Sequence, residues 1–303
     1  MLDIIGDIHG YSDHLEKLLQ KLGYKNTNGY YSHPDENRSV LFIGDFIDRG
    51  PKIKETLELV KAMVDHGSAK ALMGNHEYNA ILFHTKHPKG GHLRKHSIQN
   101  IGQHYYTLMA FKNNQKEYEA YIEWFKTLPL FYEEDNFRAV HAAWDYDSID
   151  YLKTRLEHNR LSEDLLVEAA DKTTKLYDAI EVTLKGKEMA LPEGESFKDS
   201  DDNVRNNIRI KWWVNQIGMD YQSIAVHPSS NIPTIKIKEE ASFYDSNDKP
   251  IFFGHYWLKG EPNLYQNNIC CVDYSVAKEG YLVAYTYNGE AELDNSKFTS
   301  VKV

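Results

Sequence analysis

Short, mostly apolar runs that end in glycine and a burst of polar side chains punctuate the chain. Leu2–Ile5 runs into Gly6-Asp7-Ile8-His9-Gly10. Val40–Ile43 runs into Gly44-Asp45-Phe46-Ile47-Asp48-Arg49-Gly50-Pro51. Ala69–Met73 runs into Gly74-Asn75-His76-Glu77. Runs this short read as strands, buried on both faces where the apolar run is unbroken. Between them the spacing lengthens to that of a helix. Leu15, Leu18, Leu19 and Leu22 line one face of Tyr11–Leu22, which stops at Gly23; Leu57, Val60 and Val64 do the same in Lys54–His66, which stops at Gly67. Tyr30–Tyr31, a Pro34–Asn37 loop and Val40–Ile43 read as a hairpin. Tyr118–Leu128 predicts a helix, and Leu130–Tyr132 with Phe137–His141 a second hairpin around Glu133–Asn136.

From residue 145 to about 225 the pattern turns helical. Leu161–Val182 reads as one or two helices, Val204–Ile217 as another, and the Gly/Pro/Glu stretch Lys185–Glu195 as a surface loop. Strand signals return at Ile251–Phe253, Ile269–Val272 and Leu282–Tyr287, the last closed by the turn pair Asn288-Gly289. No internal repeat or low-complexity tract appears. This order predicts an α/β layered core, residues 1–303 as one domain, with a mostly helical cap inserted at 145–249.

Composition narrows the classes. The 303 residues carry 35 Lys+Arg against 45 Asp+Glu, a net charge of −10, which argues against stable binding of a nucleic-acid backbone. No apolar run approaches the roughly 18 residues of a membrane span. The two cysteines, Cys270 and Cys271, are adjacent and so point to opposite faces of a strand. With no leader visible, a reducing cytoplasm is the expected home.

The chemistry lies at the strand ends. Two more histidines follow strands later, in Val140-His141-Ala142 and Phe253-Gly254-His255. In α/β sheets, ligands gather outside the carboxyl ends of strands, so these ends can meet at one place. That place would hold Asp7, Asp45 and Asp48, the imidazoles of His9, His76, His141 and His255, and the Asn75 amide. Desolvated carboxylates without cations repel and are costly. Mixed imidazole and carboxylate donors suit Zn, Mn or Fe. One ion does not need so many donors, whereas two ions about 3.5–4 Å apart are an arrangement for in-line displacement at phosphorus. Asp45 could bridge, with Asp7 and His9 on one ion and Asn75, His141 and His255 on the other. Any one Gly-Asp or Gly-Asn pair would pass as a turn, but the ordered set of them does not.

In that order, GDIHG, GDFIDRGP, GNHE, VHA and FGH, the chain resembles the calcineurin-like metallophosphoesterases. It is most similar to the branch holding serine/threonine phosphoprotein phosphatases and symmetrical diadenosine tetraphosphatases. The match covers roughly residues 2–145 and 250–287. GNHEYNAI, HLRKHSIQNIGQH, FFGHYWLKG and CVDYSVAKEGYLVAY also look like a bacterial metallophosphoesterase group of unsettled substrate.

The resemblance implies two mixed β-sheets face to face with helices outside. It implies two divalent metals, Mn favoured over Fe or Zn, and in-line attack by a metal-bridging hydroxide. By the same resemblance Asp7 and His9 bind the first ion, Asp45 bridges, and Asn75, His141 and His255 bind the second. His76 is the general acid, oriented by Asp48, and Arg49 clamps the phosphoryl oxygens. A second arginine is expected before the last histidine motif, from Arg209 or Arg205, with Arg209 preferred. The substrate is a phosphorylated small molecule, a dinucleoside polyphosphate or a phosphopeptide. His255 followed by an aromatic, then Leu258-x-Gly260, looks more like the diadenosine tetraphosphatases. A non-catalytic, metal-stabilised scaffold is the alternative of another class.

Other features carry plainer expectations. His84, His87, His92, His96 and His104 fit no zinc spacing and read as a polar loop. The sharper reading of that loop lays it, with Arg94 and Lys95, over the metals against substrate. Trp212 and Trp213 read as cap core on a helix. Asp273 is either a hydrogen-bond partner to the site or a strand-end turn residue.

Overall fold

The computed structural model describes residues 1–198, 204–238 and 242–303. Two mixed sheets form the core, as expected. In the six-stranded sheet, Leu2–Ile5 lies antiparallel to Tyr281–Tyr287 and parallel to Ser39–Phe42, which in turn runs parallel to Ala69–Ala71. Asp273–Tyr274 and Phe298–Lys302 pair with Tyr281–Tyr287. In the four-stranded sheet, Ile269–Cys271, Ile251–Phe253 and Arg138–Val140 run parallel, with Phe131–Glu133 antiparallel at the edge.

Strand periodicity explains the layering. Ile4, Leu41, Phe252 and Cys270 pack together between the sheets. Their neighbours Ile5, Phe42, Phe253 and Cys271 belong to the outer core with the helices. Successive side chains point to opposite faces, so both faces are buried and the strands read as apolar runs. The adjacent cysteines thus sit in different layers as free thiols. Helices Ser12–Lys21 and Ile53–Asp65 cover the first sheet with Leu15, Leu18, Leu19, Leu57, Val60 and Met63. Among the described residues no helix is long and apolar enough to cross a membrane.

Several local expectations need correction. Tyr30–Ser32 pairs with Lys25–Thr27, not with Ser39–Phe42. The connecting Asn28-Gly29 has positive φ at both residues, 57° and 93°, the backbone of a two-residue hairpin turn. Val204–Ile217 is not a helix. Val204–Arg205 and Asn207–Arg209 are short strands, because Ile208, Ile210 and Trp212 alternate with polar residues and the first two join a small apolar cluster. Lys185–Glu195 is not all loop, since Glu188–Ala190 pairs with Asn207–Arg209. In 145–249, Tyr146–Arg155 and Lys175–Lys185 are helices, and short strands dominate after them. Trp212 and Trp213 are core, each 1% exposed, but on a turn. The stretch His84–His104 is not one loop: it closes helix Asn75–His84 and contains helix Ile98–Gln103.

Candidate metal centre

Six chain segments bring their functional residues together at the carboxyl ends of parallel strands: Asp7, Asp45, Asn75-His76, His141, His255 and Asp273. Two glycines make this density sterically feasible. A Cβ on Gly74 would lie 2.2 Å from Asp45 Oδ1, and one on Gly254 would lie 2.2 Å from Asp7 Oδ1. His9, Asp45, Asp48, Arg49 and His255 all have φ between 48° and 74°. Non-glycine residues are strained there, and such strain concentrates at functional sites.

Asp45 is the hub. Its Oδ2 lies 3.6 Å from His9 Nε2, 3.5 Å from His141 Nε2 and 3.9 Å from His76 Nε2. Burial alone would raise its pKa, but the imidazoles of His141, His76 and His9 hold it well below the usual range. The donor atoms of His9, Asp45 and His76, and again of Asp45, His141 and His255, lie within 4.8 Å of one another. The tautomers suit a cation. His9 Nδ1 donates to Ile47 O at 2.8 Å and His141 Nδ1 to Ile43 O at 2.9 Å. Each therefore turns the lone pair of Nε2 inward, the usual way a protein orients an imidazole ligand. His9 Nε2 is buried and has no hydrogen-bond partner among the described residues, and burial pushes the His9 pKa down to about 3, so the ring is neutral. Asn75 Oδ1 sits 3.1 Å from His141 Nε2 and 2.7 Å from His255 Nδ1.

Asp7 lies outside both donor groups. Its carboxylate accepts from the His255 N–H at 3.3 and 3.2 Å. Burial, then the charges of Asp273 and Asp45, raise its pKa well above normal. Asp273 accepts from the Trp257 and Ser275 N–H groups at 2.7 and 3.0 Å. It therefore holds the loop after His255 and adds to the negative charge. Carboxylates so placed, with an orphaned imidazole nitrogen, fit divalent cations by donor chemistry. Adding Mn²⁺ to chelator-treated protein should raise Tm by about 5 °C at a hundredfold excess over Kd. A melting curve indifferent to millimolar Mn²⁺ would contradict the metal reading.

His76 stands apart from the other imidazoles. It opens helix Asn75–His84, and its Nδ1 donates to Asp48 Oδ2 at 2.5 Å. Burial would lower its pKa, but Asp45 and Asp48 outweigh that and raise it. The second oxygen of Asp48 accepts from His104 Nδ1 at 2.8 Å and Thr107 Oγ1 at 2.5 Å, while His104 Nε2 meets the Tyr118 hydroxyl at 2.5 Å. His104 is thus part of a buried relay, not a surface loop. Replacing it with leucine should lower kcat about tenfold, the scale of one hydrogen bond to a charged group, with KM and metal content held. An unchanged kcat would remove His104 from the relay. Glu77 was not singled out by the sequence. Fully buried, it accepts from the N–H groups of Asp45, Phe46 and Gly74 at 2.8, 2.8 and 3.0 Å. It so ties two strand ends together, and burial next to Asp45 pushes its pKa up to about 7.

A cavity of about 260 Å³ opens beside this cluster, lined in part by His76, Arg49, Arg209 and Arg94. Arg49 stacks 4.0 Å over the Trp257 ring; among the described residues it makes no ion pair, and its buried Nε has no hydrogen-bond partner. Arg209 Nη1 lies 3.2 Å from His255 Nε2 and Nη2 3.6 Å from Glu188 Oε1, and among the described residues its Nε has no hydrogen-bond partner. Arg205 is exposed on its short strand and does not line the cavity. Lys95 is exposed too, whereas Arg94 lines the wall.

Residues 2–222 match the family described as calcineurin-like phosphoesterase. A curated relative from Oceanobacillus iheyensis, named bis(5'-nucleosyl)-tetraphosphatase PrpE [asymmetrical], is 34% identical over 141 residues, 46% of this chain and 54% of the relative. A Bacillus subtilis protein of the same name is 45% identical over 74 residues, 24% of this chain and 30% of its own. The chain thus spans about half or less of the length of these relatives. Among solved structures, a Saccharomyces cerevisiae protein serine/threonine phosphatase with similarity to human phosphatase PP5 aligns over 99% of this chain and 78% of its own. Its TM-score is 0.51 at 14% identity, a likeness of fold.

Proposed function

Since the chain belongs to the calcineurin-like phosphoesterase family, we propose that it is a binuclear-metal phosphohydrolase cleaving phosphate esters or anhydrides, with dinucleoside polyphosphates favoured over phosphopeptides. The observation that carries this reading is Asp45 shared between two groups of imidazole donors, with a His76–Asp48 pair and two arginines at the same cavity. Asp7, His9 and Asp45 would hold one ion, and Asp45, Asn75, His141 and His255 the other. When bound, such ions supply Lewis acidity and a water acidified to near neutral pH.

The chain's own residues do the rest. Arg49 and Arg209 present guanidinium forks to the phosphoryl oxygens, a geometry matched to phosphate. Asp48 accepts from His76 Nδ1–H and, with Asp45, favours the protonated ring, so the imidazolium carries on Nε2 the proton for the leaving oxygen. Arg209 has to leave His255 Nε2 when His255 binds through Nδ1, because that tautomer carries a proton on Nε2. Arg209 Nη1 is then open to substrate, while Nη2 stays 3.6 Å from Glu188 Oε1.

The name shared by the curated relatives supports the nucleotide reading over phosphopeptides. A substrate panel tests it: p-nitrophenyl phosphate, bis-p-nitrophenyl phosphate, diadenosine tetraphosphate and a phosphothreonine peptide, each with Mn²⁺. The expected result is a kcat/KM for diadenosine tetraphosphate at least about tenfold above the peptide, a difference of about 1.4 kcal/mol. A peptide preferred over the nucleotide would reverse the assignment. No turnover despite two bound ions would favour the scaffold.

A further inference from the structure

The cavity holds more positive charge than one phosphoryl group requires. Arg49, Arg94, Lys185 and Arg209 all line it in a protein of net charge −10. Its lining carboxylate, Asp48, is already committed to His76 and His104. Arg49 and Arg209 lie with the metal donors. Arg94 lies elsewhere: Nη1 donates to Asn79 Oδ1 at 2.9 Å and Nη2 to Gln103 Oε1 at 2.8 Å, and it makes no ion pair within 4.0 Å among the described residues. Asn79 is four residues beyond Asn75 in the same helix, so it shares that face about 6 Å further along the axis. Lys185, from helix Lys175–Lys185, lines the same cavity with Glu181 as its partner. Asn79, Asn100 and Gln103 add amides to the wall. Among the described residues the Arg94 guanidinium is hydrogen-bonded to neutral amides, and the carboxylates acting on it, Glu181 and Asp48, are already held by Lys185 and by His76 and His104, so its charge remains available to an anion in a recess where the field is focused.

We propose that Arg94 and Lys185, with the amides of Asn79, Asn100 and Gln103, form a second anion subsite about one helical turn from the metal donors. The substrate then carries a second phosphoryl group on the same molecule, held there while the first reacts. This rests on the phosphohydrolase reading and adds to it which residues select a phosphoanhydride chain over a simple monoester.

The test is inhibition of p-nitrophenyl phosphate hydrolysis by orthophosphate, pyrophosphate and tripolyphosphate on the Mn²⁺-loaded protein, at constant free Mn²⁺. The better polyphosphate should bind about thirtyfold tighter than orthophosphate, the scale of one or two extra hydrogen bonds between charged groups. Arg94→Gln and, independently, Lys185→Met should each cut that ratio to about threefold, while Arg94→Lys retains more of it because the charge remains. A wild-type ratio near one would overturn the proposal. So would an undiminished ratio in both variants, leaving Arg94 as a latch between its loop and the helix. If wild-type protein did not turn over p-nitrophenyl phosphate, the hydrolase reading would fall by itself. Calorimetric binding of the same three anions, compared between wild type and each variant, would then decide the subsite.

Discussion

Asparagine in place of His76 is expected to lower kcat by about 10²- to 10⁴-fold on a substrate with a poor leaving group, the scale of general acid catalysis, with both metal equivalents retained. His76 Nδ1 is spent on Asp48 at 2.5 Å, which leaves only Nε2 facing the cavity. An asparagine amide can keep the bond to Asp48 but holds no proton to give. The loss should shrink for p-nitrophenyl phosphate, whose leaving oxygen needs little help. Equal losses on both substrates would mean that His76 stabilises charge or metal instead. Wild-type turnover would remove it from the mechanism.

The second large effect is expected at Asp45. Its carboxylate is common to both donor groups, and its Oδ1 also accepts the His76 N–H at 2.9 Å. Asp45→Asn keeps the shape and removes the charge shared between the sites. Metal affinity should fall by on the order of 100-fold or more, above the loss from a mere supporting partner, and activity should fall with it. Retention of two ions per chain by the variant would show that Asp45 does not bridge.

The strand ends were legible because the fold places a glycine and a polar side chain straight after most of the apolar runs. Asp7, Asp45, Asn75 and His255 follow that grammar; His141 follows Val140 with no glycine between them. His104 does not. Its role arises from packing against Asp48, 56 residues away, and nothing near it in sequence marks that contact. Glu77 lies within a legible motif, but two of the three N–H groups it satisfies, those of Asp45 and Phe46, lie on another strand end. Arg205 and Arg209 would share a face in the expected helix. As strands they diverge: Arg205 pairs opposite Phe197 and Arg209 opposite Glu188, so only the latter reaches His255. Asn28-Gly29 is a local two-residue turn signal, and it pairs Tyr30–Ser32 with Lys25–Thr27 rather than with the more apolar but more distant Val40–Ile43.

The central claim is that two ions held by these side chains run a phosphohydrolase. Its most direct test is metal content by mass spectrometry on freshly purified protein, paired with p-nitrophenyl phosphate turnover before and after chelation. The account predicts two equivalents of divalent metal per chain, turnover lost on chelation and restored by Mn²⁺. Turnover that persists at zero bound metal, or a chain that takes up no metal at all, would contradict it.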